Sequence, residues 1–143
     1  MKISTILPVA ALAALALTAA QRAEDSGRRF TLQMTGAAEV PGPGDADGTG
    51  TAVLRVNPGQ RQVCYTLTAQ NIAPATVAHV HRTPPDPGPI VIPLDPPTDG
   101  SSEGCATVTR ALAQEIIRNP TIFYVNVHNG PFPGGAIRAD LTR

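Results

Sequence analysis

Most of the chain after residue 28 consists of short segments in which apolar and polar residues alternate with a period of two. Such alternation predicts half-buried β-strands, because successive side chains of a strand point to opposite faces. The segments are 29–34, 51–56, 62–69, 76–81, 90–94, 104–109, 121–127 and 136–141. Clusters of Gly, Pro and Asp separate them, which is typical of an antiparallel sandwich or barrel. We therefore predict an all-β fold, a Greek-key sandwich or barrel of about seven to eight short strands.

One segment has a helical period instead. Leu112 and Ile116 are four residues apart and fall on one helical face, Thr109 precedes them as a helix N-cap, and an Asn-Pro pair follows at 119–120. A Ser or Thr cap before an apolar face and a proline after it are the usual start and stop signals of a helix. The sequence predicts a single short connecting helix near residues 110–118.

The N-terminus has the three parts of a secretory signal peptide. Lys2 precedes an apolar run at residues 6–17, and the small residues Thr18 and Ala20 follow it. The run is shorter than the roughly 20 residues that a membrane-spanning helix needs, so we expect no stable membrane span. We predict a signal peptide at 1–20 cut near Ala20, a disordered segment at 21–28 and one domain at 29–143. The expected location is the periplasm or the outside of the cell.

The charges of the chain are balanced. Lys and Arg together number 11, as do Asp and Glu, which gives a formal net charge of zero. Nucleic-acid binding depends on a concentrated basic surface. The balance therefore argues against a nucleic-acid partner.

The chain contains two cysteines, Cys64 and Cys105. An even number of cysteines in an exported chain indicates a disulfide, because the compartments outside the cytoplasm are oxidising. The alternative is that both are metal ligands, but they are far apart and neither belongs to a C-x-x-C pair. We therefore predict a disulfide between Cys64 and Cys105.

The three histidines of the chain lie in two predicted strands. His79 and His81 are two residues apart in one strand and share a face. In the later strand, Asn126 and His128 share a face, whereas the residues at 123, 125 and 127 on the other face are uniformly apolar and are predicted to form the core. The histidines thus project from the outer, more polar face. If the two strands are neighbours, the three imidazoles converge.

Three imidazoles with a fourth position open are a sound ligand set for Cu(II) or Zn(II), and the Irving–Williams order favours copper. We predict a metal site formed by His79, His81 and His128. The alternative is three histidines that bind no metal. Glu39, Asp86 and Asn126 are the candidates for an additional ligand or for side chains that support the histidines.

Two loops are expected to form the rim of this site. The first is the proline-rich crossover at 84–97, and the second is the segment 129–135, in which Phe132 is the expected apolar cover. A third loop, at 41–50, lacks the ligand spacing of an EF-hand and is expected to be solvated. The serines lie in loops without a nucleophile-elbow context, so we predict no catalytic residue.

Four blocks of the sequence resemble the CHRD domain, a module first described in chordin. They are "TGAAEVPGPGDADGTGTAVLRV", "VCYTLTAQNI", "VAHVHR" and "FYVNVHNGPFPGGAIRADL". The resemblance implies an all-β extracytoplasmic domain, immunoglobulin-like or superoxide-dismutase-like. The recurring histidines of the family match His79, His81 and His128, and its acid before Val-Pro matches Glu39. Where the family has an acidic residue in its "GGEIR" block, this chain has Ala136.

The sequence therefore predicts an exported β-domain that holds one copper ion, or alternatively zinc, through three histidines from two strands. Its role would be metal binding, delivery or tolerance in the periplasm or outside the cell. One alternative is an extracellular interaction or structural module without metal, whose partner would be another exported protein. A further alternative is a mononuclear copper redox enzyme.

Overall fold

The structure, a computed structural model, describes residues 27–142. This part of the chain forms eight strands and one α-helix. The strands are β1 (Arg28–Thr35), β2 (Thr49–Asn57), β3 (Gln62–Gln70), β4 (Ala75–Arg82), β5 (Ile90–Leu94), β6 (Ser101–Thr107), β7 (Phe123–Asn129) and β8 (Ile137–Asp140), and the helix is α1 (Arg110–Arg118). Two short 3-10 turns, Gly36–Ala38 and Pro120–Ile122, complete the elements.

The eight strands form one antiparallel sheet in the order β5-β4-β7-β8-β1-β2-β3-β6. The sheet curves into a nearly closed barrel, and the seam lies between its terminal strands β5 and β6. Side chains bridge this seam beside Asp95, the residue after β5. Tyr65 Oη donates to the Asp95 carboxylate at 2.9 Å, and Ser102 Oγ donates to the Asp95 carbonyl at 2.7 Å. The predicted all-β antiparallel architecture is confirmed.

The core lies inside the curved sheet and consists of the alternating apolar residues of the strands. Leu54, Leu67 and Val80 are fully buried there, as are Val125 and Ile137. Helix α1 adds Ala113 and Ile116 to the same core. The period-two pattern thus builds a single core.

The predicted helix is confirmed at residues 110–118. Thr109 Oγ1 accepts a hydrogen bond from the Leu112 amide at 3.1 Å, which satisfies one of the free N–H groups at the helix start. Strand β7 begins at Phe123 and not at residue 121, because Pro120 starts a 3-10 turn. Strand β6 also begins earlier than predicted, at Ser101.

The predicted disulfide between Cys64 and Cys105 is present. The two residues lie directly opposite each other where β3 pairs with β6. The bond therefore ties the terminal strand β6 to its neighbour in the sheet.

The predicted signal peptide at 1–20 lies outside the described residues, as does most of the predicted N-terminal segment 21–28. Arg28, the last residue of that segment, already belongs to β1. Between residues 27 and 142, no helix is long and apolar enough to cross a membrane.

Candidate metal centre

The pairing of β4 with β7 brings the three histidines together. His79 lies opposite Asn126 and His81 lies opposite Tyr124. His128 lies two residues beyond Asn126 on the same strand, so its ring is a diagonal neighbour of His79. Opposed residues of an antiparallel pair project to the same face of the sheet. The two strands are therefore neighbours, as the convergence of the histidines requires.

The three imidazoles form a compact group. Each histidine has one ring nitrogen that lies within 4.8 Å of a ring nitrogen of each of the other two. The ring centroid of His79 is 5.3 Å from that of His81 and 5.3 Å from that of His128, and the remaining pair is 6.5 Å apart. His79 is therefore the central ring of the group.

Backbone carbonyls orient two of the three rings. His81 Nδ1 lies 2.7 Å from the Gly88 carbonyl, and His128 Nδ1 lies 3.0 Å from the Pro133 carbonyl. A carbonyl oxygen only accepts hydrogen bonds, so in the neutral rings both Nδ1 atoms carry the hydrogen and both Nε2 atoms carry a lone pair.

The nitrogens that remain are unpartnered. His81 Nε2, His128 Nε2 and His79 Nδ1 are each buried and make no hydrogen bond. A buried nitrogen without a partner costs free energy, and three of them lie together here. The group therefore presents three ring nitrogens that the described residues do not use, and those of His81 and His128 carry a lone pair.

Burial favours the neutral form of two of the rings, His79 and His128. Desolvation, together with the nearby charges of His128 and His81, lowers the pKa of His79 to about 4. Desolvation also lowers the pKa of His128, although its bond to the Pro133 carbonyl raises it in part. Because a metal binds the neutral imidazole, a lowered pKa keeps a ring available for coordination in mildly acidic solution.

The outer face that carries the histidines is polar, as predicted, but it is covered and not open to solvent. Tyr124, Asn126 and Arg138 on this face are at most 3% exposed. Loops pack onto this face: the Gly88 carbonyl in the proline-rich segment and the Pro133 carbonyl in the segment 129–135 both contact histidines. Phe132 is half-buried in the second segment, and its role as a cover remains a prediction.

The carboxylates proposed as additional ligands lie outside the group of three histidines. Asp86 accepts two hydrogen bonds from the Arg138 guanidinium, at 2.8 and 3.0 Å, so its oxygens are engaged. Asn126, the cross-strand neighbour of His79, has a buried side-chain oxygen that accepts no hydrogen bond. Of the three candidates, Asn126 is the one that the sheet places directly beside a histidine.

Glu39 is a buried carboxylate beside this site. Only 4% of its surface is exposed, and neither oxygen accepts a hydrogen bond of good geometry. Burial raises its pKa to about 7, whereas Arg138, the Val40 amide and the Asn126 side chain lower it in part. The carboxyl group packs against Gly135, whose φ is +138° and whose position leaves no space for a Cβ atom.

Replacing Glu39 with glutamine is expected to stabilise the metal-free protein at about pH 8 by roughly 3 kcal/mol, since one pKa unit corresponds to about 1.36 kcal/mol. A pKa raised from 4.5 to about 7 means that the folded state binds more protons than the unfolded state between these values. Stability contributed by this group is therefore lost as the pH rises through that window. At about pH 4.5 the carboxyl is largely protonated in the folded state, and the difference should nearly vanish.

Urea unfolding of chelator-treated protein at both pH values measures this difference. Glu103→Gln serves as the control, because Glu103 is exposed on β6. A Glu39→Gln variant that is no more stable than wild type at the higher pH would contradict the buried, uncompensated carboxylate.

Sequence reasoning missed three residues that support the histidines: Gly88, Tyr124 and Arg138. The Tyr124 ring stacks on His81 with the ring centroids 4.7 Å apart and the planes 1° from parallel. The Arg138 guanidinium carbon lies 3.5 Å from the Tyr124 ring centroid. Arg138 was partly indicated by the sequence, because Arg138 and Asp140 are the two polar residues that alternate with apolar ones in the final strand. The contact of Gly88 depends on the path of a loop, which residue types do not specify.

Comparison with known families agrees with this architecture. Residues 30–141 match the CHRD domain family, which covers nearly all of the described chain. No curated protein and no solved structure shows significant similarity to the chain. The match spans every strand of the sheet and all three histidines. The chain belongs to the CHRD domain family.

Proposed function

We propose that this domain binds one copper ion, with zinc as the alternative, through His79 Nδ1, His81 Nε2 and His128 Nε2. The observation that carries the proposal is the convergence of the three histidines, which bring one ring nitrogen each to within 4.8 Å of one another and each have a buried ring nitrogen without a partner. A chance cluster of surface histidines would leave these atoms in contact with water or with protein donors.

The spacing of the nitrogens supports a single ion. Nitrogen ligands about 2.05 Å from a metal in tetrahedral geometry lie about 3.3 Å apart. The separations here reach at most 4.8 Å, so small side-chain rotations would close the set. The two Nδ1–H bonds to backbone carbonyls also support the proposal, because metal-binding histidines usually donate their other nitrogen to such a partner.

The donor set favours copper. All three donors are imidazoles, and the cysteines of the chain are joined in a disulfide, so no thiolate competes for a softer ion. Imidazole nitrogens suit Cu and Zn, and divalent copper stands above zinc in the general order of affinity. Hard ions such as calcium prefer oxygen ligands and are disfavoured here.

Three ligands leave at least one coordination position free. Asn126 is the described side chain best placed to act there, either as an oxygen ligand or as the acceptor for a metal-bound water. We infer that the site holds its ion with three strong donors and leaves one position for exchange.

This arrangement suits an exported protein that binds, delivers or buffers copper outside the cytoplasm. The apolar run at 6–17 and the disulfide support that location. A free position allows a second protein or a small ligand to take the ion without first dismantling the site.

The test is the metal content of protein exported to its native compartment and purified without chelators or a histidine tag. The three histidines are the only ones in the chain, so a triple His→Gln variant removes every imidazole and serves as the matched control. Wild type is expected to carry or take up nearly one copper ion per chain, with a Cu(II) resonance spectrum split by imidazole nitrogen. The variant should bind none and keep the circular dichroism of wild type.

A wild-type protein that is empty and ignores added Cu(II) and Zn(II) at micromolar concentration would overturn the metal site. The histidines would then be structural, and the search for a function would turn to a protein partner. Uptake of zinc with no uptake of copper would keep the site and change the ion.

A further inference from the structure

Gly88 makes contacts with two side chains of the outer face. Its carbonyl accepts from His81 Nδ1 at 2.7 Å, and its amide donates to Tyr124 Oη at 3.1 Å. A Cβ at this position would overlap the Arg82 carbonyl oxygen, so only glycine fits. The position of one peptide group therefore determines how the His81 ring is held.

Tyr124 supports His81 from a second direction. Its ring stacks on the imidazole with parallel planes, while its hydroxyl accepts the Gly88 amide. Strand β4 lies on one side of β7 and β8 lies on the other, so His81 and Arg138 reach Tyr124 from opposite neighbours. The guanidinium carbon of Arg138, 3.5 Å from the ring centroid, is close enough for a cation–π contact.

Arg138 also anchors the loop that contains Gly88. Its two terminal nitrogens donate to the two carboxylate oxygens of Asp86, at 2.8 and 3.0 Å, and its side chain is only 4% exposed. A bidentate pair of this kind fixes orientation as well as distance. Asp140 accepts from the same guanidinium but is itself 63% exposed. Asp86 and Gly88 thus attach the proline-rich segment to β7 and β8 at two points.

We propose that Asp86, Arg138 and Tyr124 are positioning residues, which hold the Gly88 carbonyl against His81 and so keep His81 Nε2 directed at the metal. The effect on metal binding rests on the proposed function, whereas the effect on the His81 ring does not. None of the three residues supplies a ligand. They act through Gly88, since a loop that shifts by about an ångström leaves His81 Nδ1 without its acceptor.

The expected consequence of losing this support is a ring that samples both neutral tautomers. Only the form with hydrogen on Nδ1 offers Nε2 to the ion. Outer contacts that orient a metal-binding histidine typically contribute about 10–100-fold to metal affinity. The network therefore contributes to affinity without contacting the ion.

The experiment compares Asp86→Asn and Tyr124→Phe with the control Asp140→Asn. Asp86→Asn keeps the shape of the side chain but weakens its charged pair with Arg138. Tyr124→Phe keeps the stack on His81 and removes the acceptor for the Gly88 amide. Asp140→Asn changes a carboxylate that also pairs with Arg138 but does not belong to the loop.

Two quantities are measured for each protein. The first is the tautomer of His81 in the metal-free protein, read from the imidazole nitrogen shifts by nuclear magnetic resonance. The second is the Cu(II) dissociation constant, from competition with a chelator. Asp86→Asn and Tyr124→Phe are expected to mix the tautomers of His81 and to weaken binding about 10-fold or more, with Asp140→Asn within about two-fold of wild type.

A His81 ring that keeps one tautomer in both test variants would overturn the positioning role, whatever the metal data show. A mixed tautomer with unchanged copper affinity would overturn its effect on the metal. If wild type binds no metal, the proposed function fails, and the tautomer measurement still decides whether these residues orient His81. Asp86→Glu, which restores a carboxylate of greater reach, should recover part of the single tautomer if the carboxylate charge is the cause.

Discussion

Replacing His79 with alanine is expected to weaken Cu(II) binding by more than about 100-fold, because the loss of a ligand should exceed the roughly 10–100-fold effect of an outer contact. The same change should leave the free energy of unfolding of the metal-free protein within about 1 kcal/mol of wild type. The His79 side chain makes no hydrogen bond to the described residues, and its buried Nδ1 lacks a partner. The variant therefore separates metal binding from folding.

The other two histidines should not show this separation. His81 and His128 each donate Nδ1–H to a loop carbonyl, of Gly88 and Pro133 respectively. Alanine at either position removes the metal ligand and also the hydrogen bond to that carbonyl, which contributes about 0.5–1.5 kcal/mol. The loss should be smaller at His128, because Pro133 is exposed and water can replace the donor. We expect both variants to lose copper binding and to unfold at lower urea concentration.

Chelator competition measures the affinities, and urea unfolding of metal-free protein measures the stabilities. Val77→Ala is the matched control. Val77 lies on β4 opposite His128 of β7, is 40% exposed and offers no ligand atom. Equal copper affinity in His79→Ala and Val77→Ala would rule out His79 as a ligand.

Replacing both Cys64 and Cys105 with serine is expected to lower the free energy of unfolding by about 2–4 kcal/mol. The disulfide spans a sequence separation of 41 and restricts the unfolded chain. It also holds β6, a terminal strand without a single fully buried residue. When the disulfide is absent, little buried apolar surface is left to hold β6 in the sheet.

Urea unfolding and amide hydrogen exchange test this expectation together. The double variant should unfold at lower urea concentration, and the β6 amides should exchange faster than those of β2. Thr66→Ala with Glu103→Ala is the control, because these residues face each other on the same two strands, two residue pairs away from the disulfide. If the serine variant is as stable as this control, the disulfide contributes little.

The strand pattern predicted the fold well, because each strand of this barrel buries one face and the period of two is therefore visible in the sequence. The eight predicted segments correspond to β1–β8, and the helix capped by Thr109 lies where its period placed it. Errors fell at strand ends. Residues 121 and 122 lie in the 3-10 turn that begins at Pro120, where extended chain was expected. Proline is compatible with both conformations, so it did not distinguish them.

The site was predicted in part. Alternation placed His79 and His81 on one face and His128 on the corresponding face of a later strand, and the structure brings them together. The alternation could not predict that Tyr124 would be buried on that same face, because strand periodicity does not tell which loops fold over a sheet. The hydrogen-bond partners of the rings could not be predicted either, since the Gly88 and Pro133 carbonyls are main-chain groups that any residue possesses.

The order of the strands separates the disulfide of this small barrel from its proposed metal site. The disulfide joins β3 to β6, and the histidines lie on β4 and β7, in the other half of the sheet. An ion held there would link residues 49 positions apart in the sequence (128 − 79). At a free-ion concentration about 100 times the dissociation constant, binding would add about 2.7 kcal/mol to the free energy of unfolding. Thiol reductants would break the disulfide, and chelators would remove the ion. The melting temperature of the domain would then report two properties of its surroundings, the redox state and the supply of free copper.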